Sequence, residues 1–453
     1  MFSVVLSIWL ALLASWLCGQ LSWWVVTWVC QLSVLAIILG GFMGVGVPNC
    51  NLGGEFCCDE VSCGFIWLSA FIASLSLVSS GDILASKDSS SVFLVAVVSL
   101  CLVLCVCFAT DSLFVFYVLF ESSLIPTLFI ICGWGYQPER LRAGKYLVLY
   151  MVSASLPLLG FILYTAFVWG SDSFALLCVV RGVLSSSPGL FLVVTLAFLV
   201  KSPMYGVHMW LPKAHVEAPV AGSMFLAGIL LKLGGYGLVR FMGVLNLVGV
   251  MYSLVVCLCV FGGVVASVVC CVQTDAKSLV AYSSVGHMGL ALGGLMSGGY
   301  WGLGGGYLLM VAHGLTSCGM FYLVGELYKS YSSRMLFVIR GGVGNLFGIN
   351  LWLAFMCGFN AAAPPSLSLC SEVILCISLI SYSLWFSVLV GALGFLSCLY
   401  SWSFYCNTQT GCYPAWARAF HSTSYSYNQS LVCVSIVFPL VGLSLCCEYG
   451  KFF

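Results

Sequence analysis

Six ionisable side chains sit deep inside apolar runs of this chain: Glu121, Lys201, Lys232, His287, His313 and Glu372. A charge surrounded by hydrocarbon is costly, so such a group faces a protein interior or a water path and serves function by default. The residue types narrow the chemistry. Lys, Glu and His all exchange protons: burial disfavours an ammonium, a nearby carboxylate favours it, and an imidazole relays with little perturbation. A buried lysine with a movable carboxylate partner is therefore a switchable proton site, and the set points to proton movement through an apolar protein.

Each residue has a plainer reading beside this one. Glu121, in FYVLFESSLIPTLFII, has no cation within one turn of its own helix, so structural pairing would need a partner from elsewhere. Lys201 stands two residues before Pro203 in LVKSP, where a broken helix offers free carbonyls and water to an ammonium at membrane depth. Lys232, in LAGILLKLGGYG, has the alternative of snorkelling to an interface. His287 and His313 have the alternative of being satisfied core histidines, and Glu372 lies just past a second break. His208, Lys213, His215 and Glu217, in HMWLPKAHVEAP, read either as a route for proton uptake or as a wet interfacial loop. The histidines are single and scattered, without the paired axial pattern of haem ligation. No P-loop, no GxGxxG after a strand and no nucleophile elbow is present; GGFMGVG and GGLMSGGYWGLGGG lie in apolar runs and read as close helix packing.

The elements that must hold these residues follow from composition. Of 453 residues, 62% are hydrophobic and 6% charged, against about a quarter charged in a soluble domain. Apolar runs of about 20 residues recur from end to end, which marks an all-α polytopic membrane protein rather than a β-barrel. Splitting them at polar, Gly and Pro interruptions predicts about fourteen helices, centred near Ile8, Ile37, Phe71, Val98, Leu119, Leu156, Thr195, Ile229, Val260, Leu290, Val311, Asn360, Leu393 and Ile436. MFSVVLSIWLALLASWL reads as a first membrane helix without a cleavable presequence. The longest polar stretches, 48–63 and 406–428, are connecting loops. With a net charge of +1 and no basic tract, nothing suggests nucleic acid. Most of the 25 cysteines lie in apolar helices as small hydrophobes; Cys50, Cys57, Cys58 and Cys63 share a polar loop and read as free thiols, with a disulfide as the alternative.

Pro203 interrupts the seventh predicted helix, and Asn360-Ala-Ala-Ala-Pro364-Pro365 interrupts the twelfth. Broken helices at matching places in two halves are the pointer to a transporter built from repeats. Helices 4–8 and 9–13 make two sets of five; five is odd, so the repeats are expected to be inverted. The implied division is 1–90 for three leading helices, 91–241 and 246–404 for the repeats, and 405–453 for a loop and last helix. Loops after odd-numbered helices hold Lys87, Arg140, Arg142, Lys145, Lys213, Lys277, Lys329, Arg334, Arg340 and Arg418, while the other side holds only Arg181, Arg240 and Lys451. By the positive-inside rule both termini are expected on the charge-poor side.

FYVLFESSLIPTLFIICGWGYQPERLRAGKY, LVKSPMYGVHMWLPKAHVEAPVAGSMFLAGILLKLGGYGLVR, QTDAKSLVAYSSVGHM and AHGLTS resemble the subunit 4 family of mitochondrial respiratory complex I, the NADH–ubiquinone oxidoreductase. The resemblance is dense over 110–317 and resumes at 360–372; the first helices and the chain beyond about Ser401 match only in hydrophobicity. It implies an antiporter-like fold of fourteen helices in the membrane arm, in the mitochondrial inner membrane, with both termini toward the intermembrane space and neighbouring antiporter-like subunits and lipid as partners. It also implies that Glu121 and Lys201 pair in a first half-channel, that Lys232 links onward, and that His287 and His313 continue a polar axis to Glu372. This chain would carry no cofactor, since NADH, FMN, iron–sulfur clusters and ubiquinone belong to other subunits. Ser368, Ser371 and Gly133 stand where the family usually has Asn, Gly and Arg. The alternatives are a subunit of a multi-component cation/proton antiporter, or the plastid or bacterial counterpart of the same subunit.

Overall fold

Chain segments this apolar leave backbone amides no partner but each other, and the described chain is accordingly helical almost throughout. The computed structural model describes residues 50–51, 56–86, 89–170, 172–174, 188–242, 250–342, 347–411 and 423–447, with 26, 27, 29 and 31. A two-residue antiparallel pair, β1 (Cys50–Asn51) with β2 (Cys57–Cys58), precedes the helices. These are α1 (Glu60–Ser79), α2 (Gly81–Ser86), α3 (Ser90–Ala109), α4 (Leu113–Ser122), α5 (Leu124–Trp134), α6 (Arg140–Trp169), α7 (Pro188–Lys201), α8 (Trp210–Glu217), α9 (Val220–Phe225), a π-helical turn (Leu226–Leu230), α10 (Leu231–Met242), α11 (Val250–Cys271), α12 (Ala276–Met296), α13 (Tyr300–Tyr331), α14 (Phe347–Asn360), α15 (Leu367–Tyr382), α16 (Phe386–Gln409) and α17 (Thr423–Cys447).

All twelve predicted helices from the third onward appear; the two centred near Ile8 and Ile37 lie outside the described residues. Among the described residues nine helical stretches are long and apolar enough to cross a membrane, and three shorter apolar helices accompany them. The two expected breaks are present: α7 ends at Lys201 and α8 resumes at Trp210, while α14 ends at Asn360 and α15 resumes at Leu367. Proline at 203 and at 364 and 365 has no N–H to give a helix, which is why each run stops there. Two interruptions were not expected. The fifth predicted helix divides at Ser123 into α4 and α5, and the eighth carries the π turn. The polar stretches are shorter than expected, because α1 starts at Glu60 and takes in Cys63, α16 runs on to Gln409 and α17 begins at Thr423. Polar residues at a membrane boundary lose nothing by continuing a helix.

The chain packs as two compact units, Met1–Lys201 with Glu217–Val248, and Ser202–Val216 with Gly249–Phe453. In the first, 94% of the most apolar stretch of Val220–Met242 is buried, and this segment forms the interior. Its Tyr236 and Phe241 meet an aromatic core from four other helices, with ring centroids 5.0 Å from Tyr236 to Phe108, 6.0 Å to Phe65 and 6.1 Å to Phe116, and 5.0 Å from Phe241 to Phe198. Phe198 is one turn before Lys201, so the same cluster that holds α7 also sets the depth of its last residue.

In the second unit α12 and α13 are the interior, with 94% and 100% of their most apolar stretches buried, whereas α16 has only 33% and leaves the rest exposed on the surface of the chain. Close approach of α11 to α12 depends on glycine. A Cβ at Gly289 would stand 2.8 Å from the Cys259 carbonyl oxygen and 3.0 Å from the Gly263 Cα, both backbone, so a side chain there would push the helices apart. Gly289 lies two residues beyond His287.

Candidate functional site

In the first unit Lys201 is 1% exposed at the C-terminal end of α7. Its Nζ donates to the Phe120 carbonyl at 2.7 Å and to Ser123 Oγ at 3.3 Å, and lies 3.3 Å from the centroid of the Phe120 ring. The ammonium is thus met where α4 gives way to α5. Backbone oxygen, hydroxyl and π face together compensate one buried positive charge without an anion. Glu121 lies between these partners in sequence. Among the described residues no ion pair within 4.0 Å joins it to Lys201. One carboxylate oxygen, Oε1, is buried without a hydrogen-bond partner. Lys232 is fully buried, and its Nζ donates back to the Ala227 carbonyl within the π turn. A π turn widens the helix and offers a carbonyl to a side chain, a device frequent at functional sites.

In the second unit the structure brings together three expected residues and one that was missed. His287 Nδ1 on α12 is 3.5 Å from Glu372 Oε1 on α15, and its ring centroid is 5.7 Å from that of His313 on α13. The other ring nitrogen, Nε2, is 3.0 Å from the Tyr400 hydroxyl on α16. Tyr400 is 1% exposed. It looked in the sequence like one more aromatic in GFLSCLYSWSF; only the packing of α16 on α12 turns its hydroxyl to His287. Past the second break, Ser368 donates to the Phe359 carbonyl at 2.6 Å and Ser371 to the Ser368 carbonyl at 2.8 Å. The serine at 368 therefore ties the two half-helices together just ahead of Glu372. At Gly133 a Cβ would meet nothing within 4 Å, so glycine leaves no packing defect there.

Of the residues read as a route for proton uptake, Lys213, His215 and Glu217 lie in α8 and His208 in the turn just before it. His208 accepts from the Gly206 amide at 3.2 Å and stacks on Tyr205 at 4.8 Å; His215 stacks face to face on Phe321 at 4.7 Å; both are buried, as is Glu217, whereas Lys213 is exposed. His215 and Glu217 are therefore not in a wet loop: α8 carries both and turns the imidazole of His215 inward onto the ring of Phe321.

Lys277 and Lys329, placed in loops by the sequence reading, lie instead in α12 and α13, whereas Arg334 does lie in the loop after α13. Lys277 is 1% exposed in the first turn of α12 and donates to the Val216 carbonyl at 3.4 Å, and Arg334 donates to the same oxygen at 3.0 Å. Two cations thereby meet a last-turn carbonyl of α8, where the helix dipole is negative. Glu326 is 2% exposed and pairs with Lys329 at 2.7 Å, three residues on along α13. The i, i+3 spacing was the available signal; α13 at 32 residues outruns the expected span and carries the pair with it. Cys57 and Cys63 are free thiols, while β1 and β2 place Cys50 opposite Cys58 in register.

Comparison with known proteins accords with this layout. Residues 110–398 match the family described as NADH:quinone oxidoreductase/Mrp antiporter, TM, and residues 1–107 match NADH-ubiquinone oxidoreductase chain 4, amino terminus. The first helices therefore share more than hydrophobicity with the family. NADH-ubiquinone oxidoreductase chain 4 of Ceratitis capitata is 47% identical over 354 residues, 78% of this chain and 79% of that one. The protein of the same name from Polypterus ornatipinnis is 39% identical over 405 residues, 87% of each chain. A chain of respiratory complex I from Thermus thermophilus shares the fold, with a TM-score of 0.83 at 22% identity, covering 99% of this chain and 97% of that one. Family matches that run from residue 1 to 398 and relatives up to 47% identical over 78% of the chain place this chain in the NADH-ubiquinone oxidoreductase chain 4 family of antiporter-like membrane proteins.

Proposed function

We propose that this chain is a proton-translocating membrane-arm subunit of an NADH:ubiquinone oxidoreductase complex, seated in the mitochondrial inner membrane beside other antiporter-like subunits, with both termini toward the intermembrane space. The observation that carries the reading is Lys201: an ammonium buried at a helix break, satisfied by a carbonyl, a hydroxyl and a ring rather than by a fixed anion. A lysine so placed keeps its proton only while its neighbours compensate the charge, and Glu121, flanked by the Phe120 and Ser123 that hold the ammonium, is the adjustable part of that compensation. Movement of Glu121, or its neutralisation, would release the proton. In the second unit the His287–Glu372 contact is an ion pair only while His287 is protonated, so it too has two states, with Tyr400 and His313 as the groups through which a proton would come and go.

Redox chemistry on this reading belongs to other subunits, which hold NADH, FMN, iron–sulfur clusters and ubiquinone; this chain supplies the proton path. On this reading the repeat over 91–241 supplies one half-channel and the repeat over 246–404 the other. Because the matching family description also names an antiporter, a multi-component cation/proton antiporter is the second reading. The test is proton translocation per NADH in proteoliposomes of the assembled complex carrying Lys201→Ala. Intact assembly with pumping abolished or sharply reduced is expected. Wild-type stoichiometry and rate would overturn the reading, and sodium flux without NADH oxidation would transfer it to the antiporter.

A further inference from the structure

At the far end of α10 the first unit carries a polar chain that the proton path does not use. Lys232, Tyr236 and Arg240 are spaced i, i+4 and i+8, which puts them along one side of the helix, each step about 6 Å further along the axis. Tyr236 is fully buried, and its hydroxyl donates to the Phe108 carbonyl at 2.9 Å. Arg240 Nε donates to the same hydroxyl oxygen at 2.9 Å, while its Nη1 pairs with Asp59 at the N-terminus of α1. The guanidinium also lies 5.0 Å from the Tyr236 ring. Side-chain exposure is 22% for Arg240 and 25% for Asp59, so the chain reaches from a dry interior to a wet edge. Beside it, burial and then the charges of Asp59 and Asp111 push the Cys57 thiol up.

The direction of the hydrogen bonds decides what this chain does. A relay needs every member to accept a proton on one side and release one on the other. Here the tyrosine's only proton is committed to a main-chain carbonyl, and its oxygen already takes a proton from arginine. Arginine cannot complete the relay, because a guanidinium stays protonated in proteins. The ammonium of Lys232, for its part, points back to Ala227 rather than on to Tyr236. A fixed guanidinium in a narrow route is also an electrostatic barrier to protons and cations.

We propose that Arg240, held by Asp59 and Tyr236, is a proton plug: it closes the first unit beyond Lys232, so that a proton reaching that lysine cannot leave along α10. This rests on the proton-translocating reading above. The side-chain roles are then distinct: Arg240 supplies the barrier, and Asp59 and Tyr236 position it.

The test uses the assembled complex in proteoliposomes, without NADH, under an imposed pH gradient. Arg240→Gln is expected to raise passive proton conductance about tenfold, since it removes a unit charge about two helical turns beyond Lys232. Arg240→Lys should stay tight, and Asp59→Asn should leak less than Arg240→Gln but more than wild type. With NADH present, the Gln variant should oxidise NADH but build a smaller gradient. Should Arg240→Gln fail to assemble, Asp59→Asn at the half-exposed edge carries the test. A tight Gln or Asn variant, or one with slowed turnover and no leak, would overturn the plug and make the chain a relay or a plain structural pair. Loss of pumping in Lys201→Ala is scored separately: if that variant pumps normally the functional reading fails, whereas a tight Arg240→Gln in a complex that needs Lys201 overturns the plug alone.

Discussion

The contact between His287 and Glu372 allows a quantitative test. At 3.5 Å and an effective permittivity of about 20, two unit charges attract by about 5 kcal/mol. Both side chains are largely buried, at 6% and 15% exposure, so desolvation offsets much of that attraction. A net coupling of about 1–3 kcal/mol remains as the expected value, a factor of about 5 to 150. Because the attraction exists only in the states where His287 carries the proton, it should appear in the rate of pumping rather than in assembly. Glu372→Gln keeps size and hydrogen bonding but cannot carry a proton, and His287→Gln removes the imidazole. Each single variant should slow NADH-driven proton uptake in reconstituted complex by about 10²-fold or more. The double variant should be faster than the product of the two losses by the coupling factor. Losses that multiply cleanly would show that the two groups work independently and that the 3.5 Å approach has no part in the cycle.

Lys201→Ala and Glu121→Gln should likewise be non-additive, the double being little worse than the worse single, although their coupling runs through space and not through a direct ion pair; multiplicative loss in proton uptake would refute it. Tyr400→Phe removes the 3.0 Å hydrogen bond at His287 Nε2 and should slow pumping about 2- to 12-fold, the equivalent of about 0.5–1.5 kcal/mol, with assembly unchanged on native gels. Gly289→Ala should lower the thermal stability of the complex by the equivalent of about 1–3 kcal/mol, whereas Gly286→Ala, whose added Cβ has its nearest neighbour at 3.7 Å, should be close to neutral; equal melting curves would contradict the helix spacing argued here. Cys57 should react with a membrane-impermeant maleimide from the intermembrane side only. Its rate should go on rising above the usual thiol range near pH 8.5, because burial and Asp59 raise the thiol and keep the thiolate scarce until higher pH.

What the sequence determined by itself was the class of protein and the groups that matter. Hydrocarbon imposes one solution on a backbone, so apolar runs of the right length could be read directly as helices. Proline removes a donor wherever it stands, so the breaks after Lys201 and Asn360 were legible as residues. The six proton-exchanging side chains in apolar runs were visible for the same reason: nothing local compensates them, and the mismatch is written in the string. Tertiary structure alone decided their partners. Phe120 meets Lys201 with a carbonyl and a ring face, neither of which has a signature in the one-letter code. The hydroxyl of Tyr400 becomes a site group because α16 packs on α12, 113 residues away in sequence. Lys277 looked like a loop charge because sequence spacing measures distance along the chain, whereas burial depends on which helices close over it. Types and breaks are local properties and survive in a string of residues; satisfaction of a buried charge is a sum over neighbours brought together by folding, and only the folded chain supplies them.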